Sequence, residues 1–231
     1  MMETQLSLGQ IEAEQRNFIR KVYSWMALAL VITAVVAIGT ISSRTMLTLI
    51  LGNSTVFYGL LIGELLLVMF LSARVDRMSV RTATLSFITY SVINGLTISV
   101  IFLVYTGGSI VSTFFIAASI FGFMSAYGYY TDNDLSNVGS ICLMGLFGLI
   151  IATIINLFFY SSVLYWITTY AGVIIFTALT AYDTQKIKEM NVIGNEGTDE
   201  DTKESIIGAL VLYLDFINLF LYLLRIFGRK K

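Results

Sequence analysis

The sequence predicts an all-α polytopic membrane protein, a bundle of seven transmembrane helices, and three observations carry that prediction. Of 231 residues, 57% are hydrophobic and 13% charged, against about 45–50% and about 25% in a soluble domain. Mean hydropathy is +0.82, an excess of apolar surface that water cannot accommodate. The apolar residues gather into seven runs, each close to the roughly 20 residues a helix needs to cross a bilayer core. Proline is absent altogether, so the spans read as uninterrupted helices without the Pro-broken segments of many transporters.

Composition also excludes several functions. The net charge of −1 lacks the basic field of a nucleic-acid binder. A lone cysteine, Cys142, rules out an intramolecular disulfide and a cysteine metal site, and reads as a core residue. With no histidine, a proton sensor or metal site has to be built from carboxylates.

Residues 1–21 are polar and mixed in charge, ending in Arg16, Arg20 and Lys21, and read as a cytoplasmic N-terminal segment. Residues 22–228 form a single transmembrane domain and residues 229–231 a basic tail. The first span, 22–42, follows basic residues, but no small-residue cleavage site follows it, so it is a retained helix and not a signal peptide. A short loop with Arg44 and Asn53-Ser54-Thr55 leads to the second span, 56–73, which carries Glu64 and ends at Arg74, Arg77 and Arg81. The third, 83–105, holds a polar patch of Ser91, Asn94, Thr97 and Ser99.

Gly107-Gly108 is read as a tight turn into the fourth span, 110–129. An acidic turn at Asp132 and Asp134 precedes the fifth, 138–160, and Ser161-Ser162 alone joins it to the sixth, 163–182. Residues 184–204 form a charged loop before the seventh, 206–227. The alternative is six spans with a re-entrant last segment. Orientation follows from Lys and Arg: with the N-terminus inside, nine face the cytoplasm (Arg16, Arg20, Lys21, Arg74, Arg77, Arg81, Lys186, Lys188, Lys203) and five face out (Arg44, Arg225, Arg229, Lys230, Lys231). The balance predicts a cytoplasmic N-terminus, with the basic tail opposing it.

The last span carries Asp215 near its middle, where a carboxyl group costs roughly +2.5 to +3.5 kcal/mol on insertion scales. Asp183, at the end of the sixth span, is the natural partner. Thr177, Thr180 and Asp183 recur every three residues and share a helix face, as do Asp215 and Asn218. Consecutive helices are usually neighbours, and two carboxyl groups brought close cannot both ionise cheaply. A shared proton would tie the two helices together, and its loss would set like charges against each other: a pH-dependent latch. The plain alternative is an interfacial Asp183 and an Asp215 bonded to a backbone or hydroxyl group. Arg74, about three turns beyond Glu64, either neutralises a carboxylate of the pair or snorkels to the headgroups. Asn94 and its neighbours either line a polar path or join helices.

Thr180-Ala181-Tyr182-Asp183-Thr184-Gln185-Lys186-Ile187-Lys188, with Leu212-Tyr213-Leu214-Asp215-Phe216-Ile217-Asn218-Leu219-Phe220, resembles the signature of the Bax inhibitor-1 family. Asn94-Gly95-Leu96-Thr97, Tyr127-Gly128-Tyr129 and Asp134-Leu135-Ser136 extend the resemblance over nearly the whole chain, and it looks closest to the bacterial inner-membrane branch. The resemblance implies a seven-helix bundle with the last helix central. It implies a pH-sensitive calcium leak gated by a di-aspartyl pair, matched here by Asp183 and Asp215, which would also meet Ca²⁺ in passing as metal ligands. Arg74 matches the family's supporting arginine to within a residue of register. Glu64 falls where the family places an acid on the calcium path, which Asn94 and Asn218 would extend. The loop between the last two spans is longer and more acidic than in some relatives.

The leading expectation is therefore a proton-regulated cation leak in a bacterial inner membrane. Its partners are the lipid bilayer, protons and Ca²⁺, the last as permeant ion and not cofactor; carboxylates are hard oxygen ligands suited to it. The runner-up is a non-conducting regulator that binds other membrane proteins. An enzyme is not expected. An intramembrane aspartyl protease also needs two aspartates, but Leu214-Asp215 lacks a Gly-x-Gly-Asp context and a chain without proline has no Pro-Ala-Leu motif. A retinal receptor would need a lysine in the last helix, which residues 206–227 do not contain.

Overall fold

The computed structural model describes residues 7–231, so residues 1–6 of the N-terminal segment lie outside the described part. The helices, in chain order, are α1 Leu8–Ser42, α2 Arg44–Ile50, α3 Ser54–Arg74, α4 Val80–Ile98, α5 Ile101–Val104, α6 Gly107–Tyr130, α7 Ser136–Phe159, α8 Ser162–Met190 and α9 Asp199–Phe227, with a 3₁₀ turn at Val75–Arg77. Among the described residues, seven segments are long and apolar enough to cross a membrane: α1, α3 with its 3₁₀ turn, α4 with α5, and each of α6 to α9. The protein is a polytopic all-α membrane protein. In α9, 67% of the apolar window is buried, against 11% in α3 and α7. The last helix is thus the most enclosed span, and it runs unbroken through 29 residues, with no interruption of the kind a re-entrant segment needs.

The chain forms two compact units: 1–103 with 187–210, and 104–186 with 211–231. In the first, α1 packs on α4. Gly95 lets the two approach, since a Cβ there would collide with the Thr33 carbonyl oxygen and the Val36 side chain. The polar start of α1 is helical from Leu8 and continuous with the first span. Gln10 Oε1 accepts from the Ser7 N–H at 2.8 Å, and Phe18 and Val22 are fully enclosed. Scattered charges conceal a buried stripe.

The charged loop is also shorter than 184–204. Helices α8 and α9 extend from either side and leave only residues 191–198. That stretch turns on Gly194 (φ 92°) and Gly197 (φ 82°), both in the left-handed region where glycine carries no steric penalty. Glu14 Oε1 accepts from the Gly194 N–H at 2.8 Å. Asp201, fully buried, accepts from the Gly197 N–H at 2.8 Å and pairs with Lys21. The loop is strapped to α1.

Asn53-Ser54-Thr55 serves as a helix start: Asn53 Oδ1 accepts from the Thr55 and Val56 N–H groups, a common N-cap arrangement.

In the second unit, the Gly107-Gly108 pair opens α6 instead of forming a separate turn. The turn lies at Tyr105-Thr106, pinned by the C-terminal tail: the Thr106 N–H donates to the Arg229 carbonyl at 2.9 Å and the Lys231 N–H to the Val104 carbonyl at 3.0 Å. Gly128 brings α6 onto α8, for a Cβ would strike the Ala181 carbonyl. Asp134 caps the approach to α7 by accepting from the Ser136 N–H at 2.8 Å, and these bonds from Ser136 hold its carboxyl below the usual carboxylate range. Phe114 and Phe121 of α6 meet Phe216 of α9 edge to face at 5.3 and 5.5 Å between ring centroids.

Candidate functional site

Helices α8 and α9 lie side by side in the second unit. Phe176 stacks on Tyr222 with ring centroids 5.9 Å apart, and Gly172 leaves room for that Tyr222 ring. This contact sets the register of the two helices, and both aspartates line one cavity, close enough to act on each other. A bond between two carboxyl groups needs one proton, since an ionised carboxylate can only accept. Asp215 is 5% exposed, and its Oδ2 has no hydrogen-bond partner among the described residues. Asp183 is half-buried, with Lys186, one turn on, acting on it electrostatically.

The hydroxyls beside Asp183 do not serve the pair. Thr180 donates to the Phe176 carbonyl and Thr184 to the Thr180 carbonyl, each at 2.7 Å. Asn218 likewise donates its amide to the Leu214 carbonyl at 2.8 Å.

A cavity of about 490 Å³ opens over the pair. Asp183, Asp215, Asn218, Thr153 and the Tyr222 hydroxyl give it polar points on walls that are otherwise aliphatic and aromatic. Of the residues expected to act together, the structure thus joins Asp183, Asp215 and Asn218.

Glu64 and Asn94 come together in the first unit. Thr97 donates its hydroxyl to Glu64 Oε1 at 2.7 Å, and the Asn94 side chain also hydrogen-bonds to Glu64. Asn94 and Thr97 are buried, so the polar patch of α4 surrounds an acid on α3. Arg74 is exposed and forms no ion pair among the described residues. No three or more acidic or cysteine side chains converge as a metal cluster among the described residues.

Sequence reasoning missed Thr153, Phe176 and Tyr222, which complete the cavity around the pair. Thr153 left a faint signal as a hydroxyl within the Ile-, Leu- and Phe-rich α7. The two aromatics left none, because the spans are full of them.

Fold and site together define a polytopic helical membrane protein in which carboxyl groups from its last two spans line one cavity. The chain belongs to the Bax inhibitor-1 family: residues 15–231 match the family described as "Inhibitor of apoptosis-promoting Bax1". It is similar to the inner membrane protein YbhL of Escherichia coli K12, at 46% identity over 226 residues covering 97% of each chain. A protein of Rickettsia prowazekii is 45% identical over 94% of this chain and 91% of its own. One from Borreliella burgdorferi is 43% identical over 94% of both.

Proposed function

We propose that the protein is a proton-regulated cation leak that passes Ca²⁺, with Asp183 and Asp215 as its gate. The observation that carries this reading is that Asp183 of α8 and Asp215 of α9 line one cavity, close enough to act on each other. A hydrogen bond between two carboxyl groups holds the spans together only while one proton is shared. Removing that proton places like charges in a poorly solvating interior, where they repel strongly, and so loosens α8 from α9. Glu64, with Asn94 and Thr97, offers oxygen atoms within another span and serves as a second polar station for the ion. Asn218 adds an oxygen beside the pair. Arg74 supplies positive charge at the end of α3, and no catalytic step is assigned. The similarity to YbhL and the Lys/Arg balance support an inner-membrane location with the N-terminus cytoplasmic.

The test is Ca²⁺ flux into liposomes containing the purified chain, followed from about pH 5 to about pH 8. Wild-type flux should change with pH. Asp183→Asn and Asp215→Asn should each abolish that dependence, and the double variant should add little because the two act as one unit. Flux no greater than in protein-free liposomes at any pH would remove the leak reading. It would leave a non-conducting regulator of other membrane proteins.

A further inference from the structure

The cavity over the aspartate pair has the size and lining of a small-molecule site. Its volume of about 490 Å³ falls within the roughly 300–1,000 Å³ of ligand pockets, which are mostly apolar with a few placed polar groups. Leu143, Ile150 and Ile154 of α7, which form one wall, are 44–50% exposed. That wall therefore borders the apolar perimeter of its unit, from which a lipid-soluble molecule can enter.

The polar points of the cavity are mostly acceptors. Thr153 spends its hydroxyl hydrogen on the Leu149 carbonyl at 2.7 Å, and Asn218 spends one of its two amide hydrogens on the Leu214 carbonyl; its other amide hydrogen and the Tyr222 hydroxyl are the donors among the lining residues. Asp215 Oδ2 is buried and unpartnered. A pair sharing one proton carries one negative charge, and none of the residues lining the cavity is a cation. Lys186 is exposed, with its Nζ 5.8 Å from the Tyr182 ring centroid. A resident Ca²⁺ would want about six to eight oxygens, which these aliphatic walls do not supply. A positively charged hydrogen-bond donor carried on an apolar body fits the two carboxyl groups and the apolar walls, and Phe176 adds an aromatic wall of the kind that attracts ammonium groups.

We infer that this cavity binds a membrane-soluble amine, its ammonium group on Asp215 and its hydrocarbon along α7. The inference rests on the reading of Asp183 and Asp215 as a proton-sharing pair, and adds a ligand class that would wedge between α7 and the gate.

The test is equilibrium binding of radiolabelled decylamine to the detergent-purified full chain, with decanol as competitor of equal length and no charge. Saturable amine binding is expected, with decanol weaker by roughly ten- to a hundredfold, the weight of a hydrogen bond to a charged group. Asp215→Asn should lose affinity to a similar degree. Leu146→Trp, which fills the cavity without altering either carboxyl group, should also lose binding. Equal affinity for amine and alcohol in the wild type would overturn the proposal, whatever the variants do. So would undiminished amine binding in folded Leu146→Trp protein. Ca²⁺ flux plays no part in the readout. Amine binding without flux would remove the leak and leave the site, and flux without amine preference would do the reverse.

Discussion

Thr97 donates its hydroxyl to Glu64 across α3 and α4 at 2.7 Å, while its own oxygen lies 3.0 Å from the Asn94 carbonyl. With Asn94 also bonded to Glu64, an acid in the membrane interior is served by two neighbours. Thr97→Val keeps the shape and removes one donor. Interhelical hydrogen bonds in membranes are worth about 0.6 to 2 kcal/mol, so the unfolding free energy should fall by about that amount, read as a lower thermal unfolding temperature in detergent. Combining Thr97→Val with Glu64→Leu should cost less than the sum of the two, since both remove the same bond.

The aspartate pair should make stability depend on pH in a definite sense. A hydrogen bond between its two carboxyl groups needs a proton, so its contribution is lost as rising pH strips that proton. Wild-type protein should therefore unfold at a lower temperature as pH increases. Asp215→Asn keeps a donor facing the Asp183 carboxylate and should flatten that slope. A slope unchanged in Asp215→Asn would place its origin elsewhere.

Two glycines of α6 separate close packing from helix propensity. A Cβ at Gly128 would run into the Ala181 carbonyl of α8, whereas one at Gly122 meets nothing within 4 Å. Gly128→Ala should force the helices apart and cost about 1–3 kcal/mol, as overpacking does. Gly122→Ala should be neutral or stabilising by about 0.4–1 kcal/mol, because it restricts the unfolded chain. Thermal unfolding of the two variants side by side distinguishes them.

Lys21 and Asp201 anchor the start of α9 to α1. Asp201 is 1% exposed and Lys21 about one-third exposed. Among the described residues, Lys21→Met leaves the buried Asp201 carboxylate with the Gly197 amide as its remaining hydrogen-bond partner, so its cost should lie at the low end of the roughly 3–5 kcal/mol for breaking a buried pair. Adding Asp201→Asn should recover part of that loss. Chemical denaturation of the single and double variants measures the recovery.

Much of the fold was legible because a bilayer enforces it. Every spanning backbone must satisfy its own hydrogen bonds, so an apolar run of sufficient length becomes a helix whatever its details. Boundaries were less legible. The first turns of α1 read as a polar segment because Phe18 and Val22 are separated by charges, and the 191–198 loop read too long because Lys186 and Asp199–Glu204 sit on helical turns. Charge marks solvent contact but not the end of a helix.

The sequence by itself determined the class of protein, the number of spans, the family, and the oddity of Asp215 in an apolar run. It also named Asp183 as the partner, since consecutive helices pack together and a buried acid needs a neighbour. Tertiary structure alone decided which groups answer which acid. Glu64 bonds to Asn94 and Thr97, 30 and 33 residues away along the chain, and Thr180, which shares a face with Asp183, bonds back to its own helix. It alone decided that a cavity lies over the pair, walled by Thr153, Phe176 and Tyr222. Helix periodicity records which residues share a face. The rotation and register of one helix against the next come from packing, where Gly172 yields to Tyr222 and Gly128 to Ala181, and no single helix carries that information.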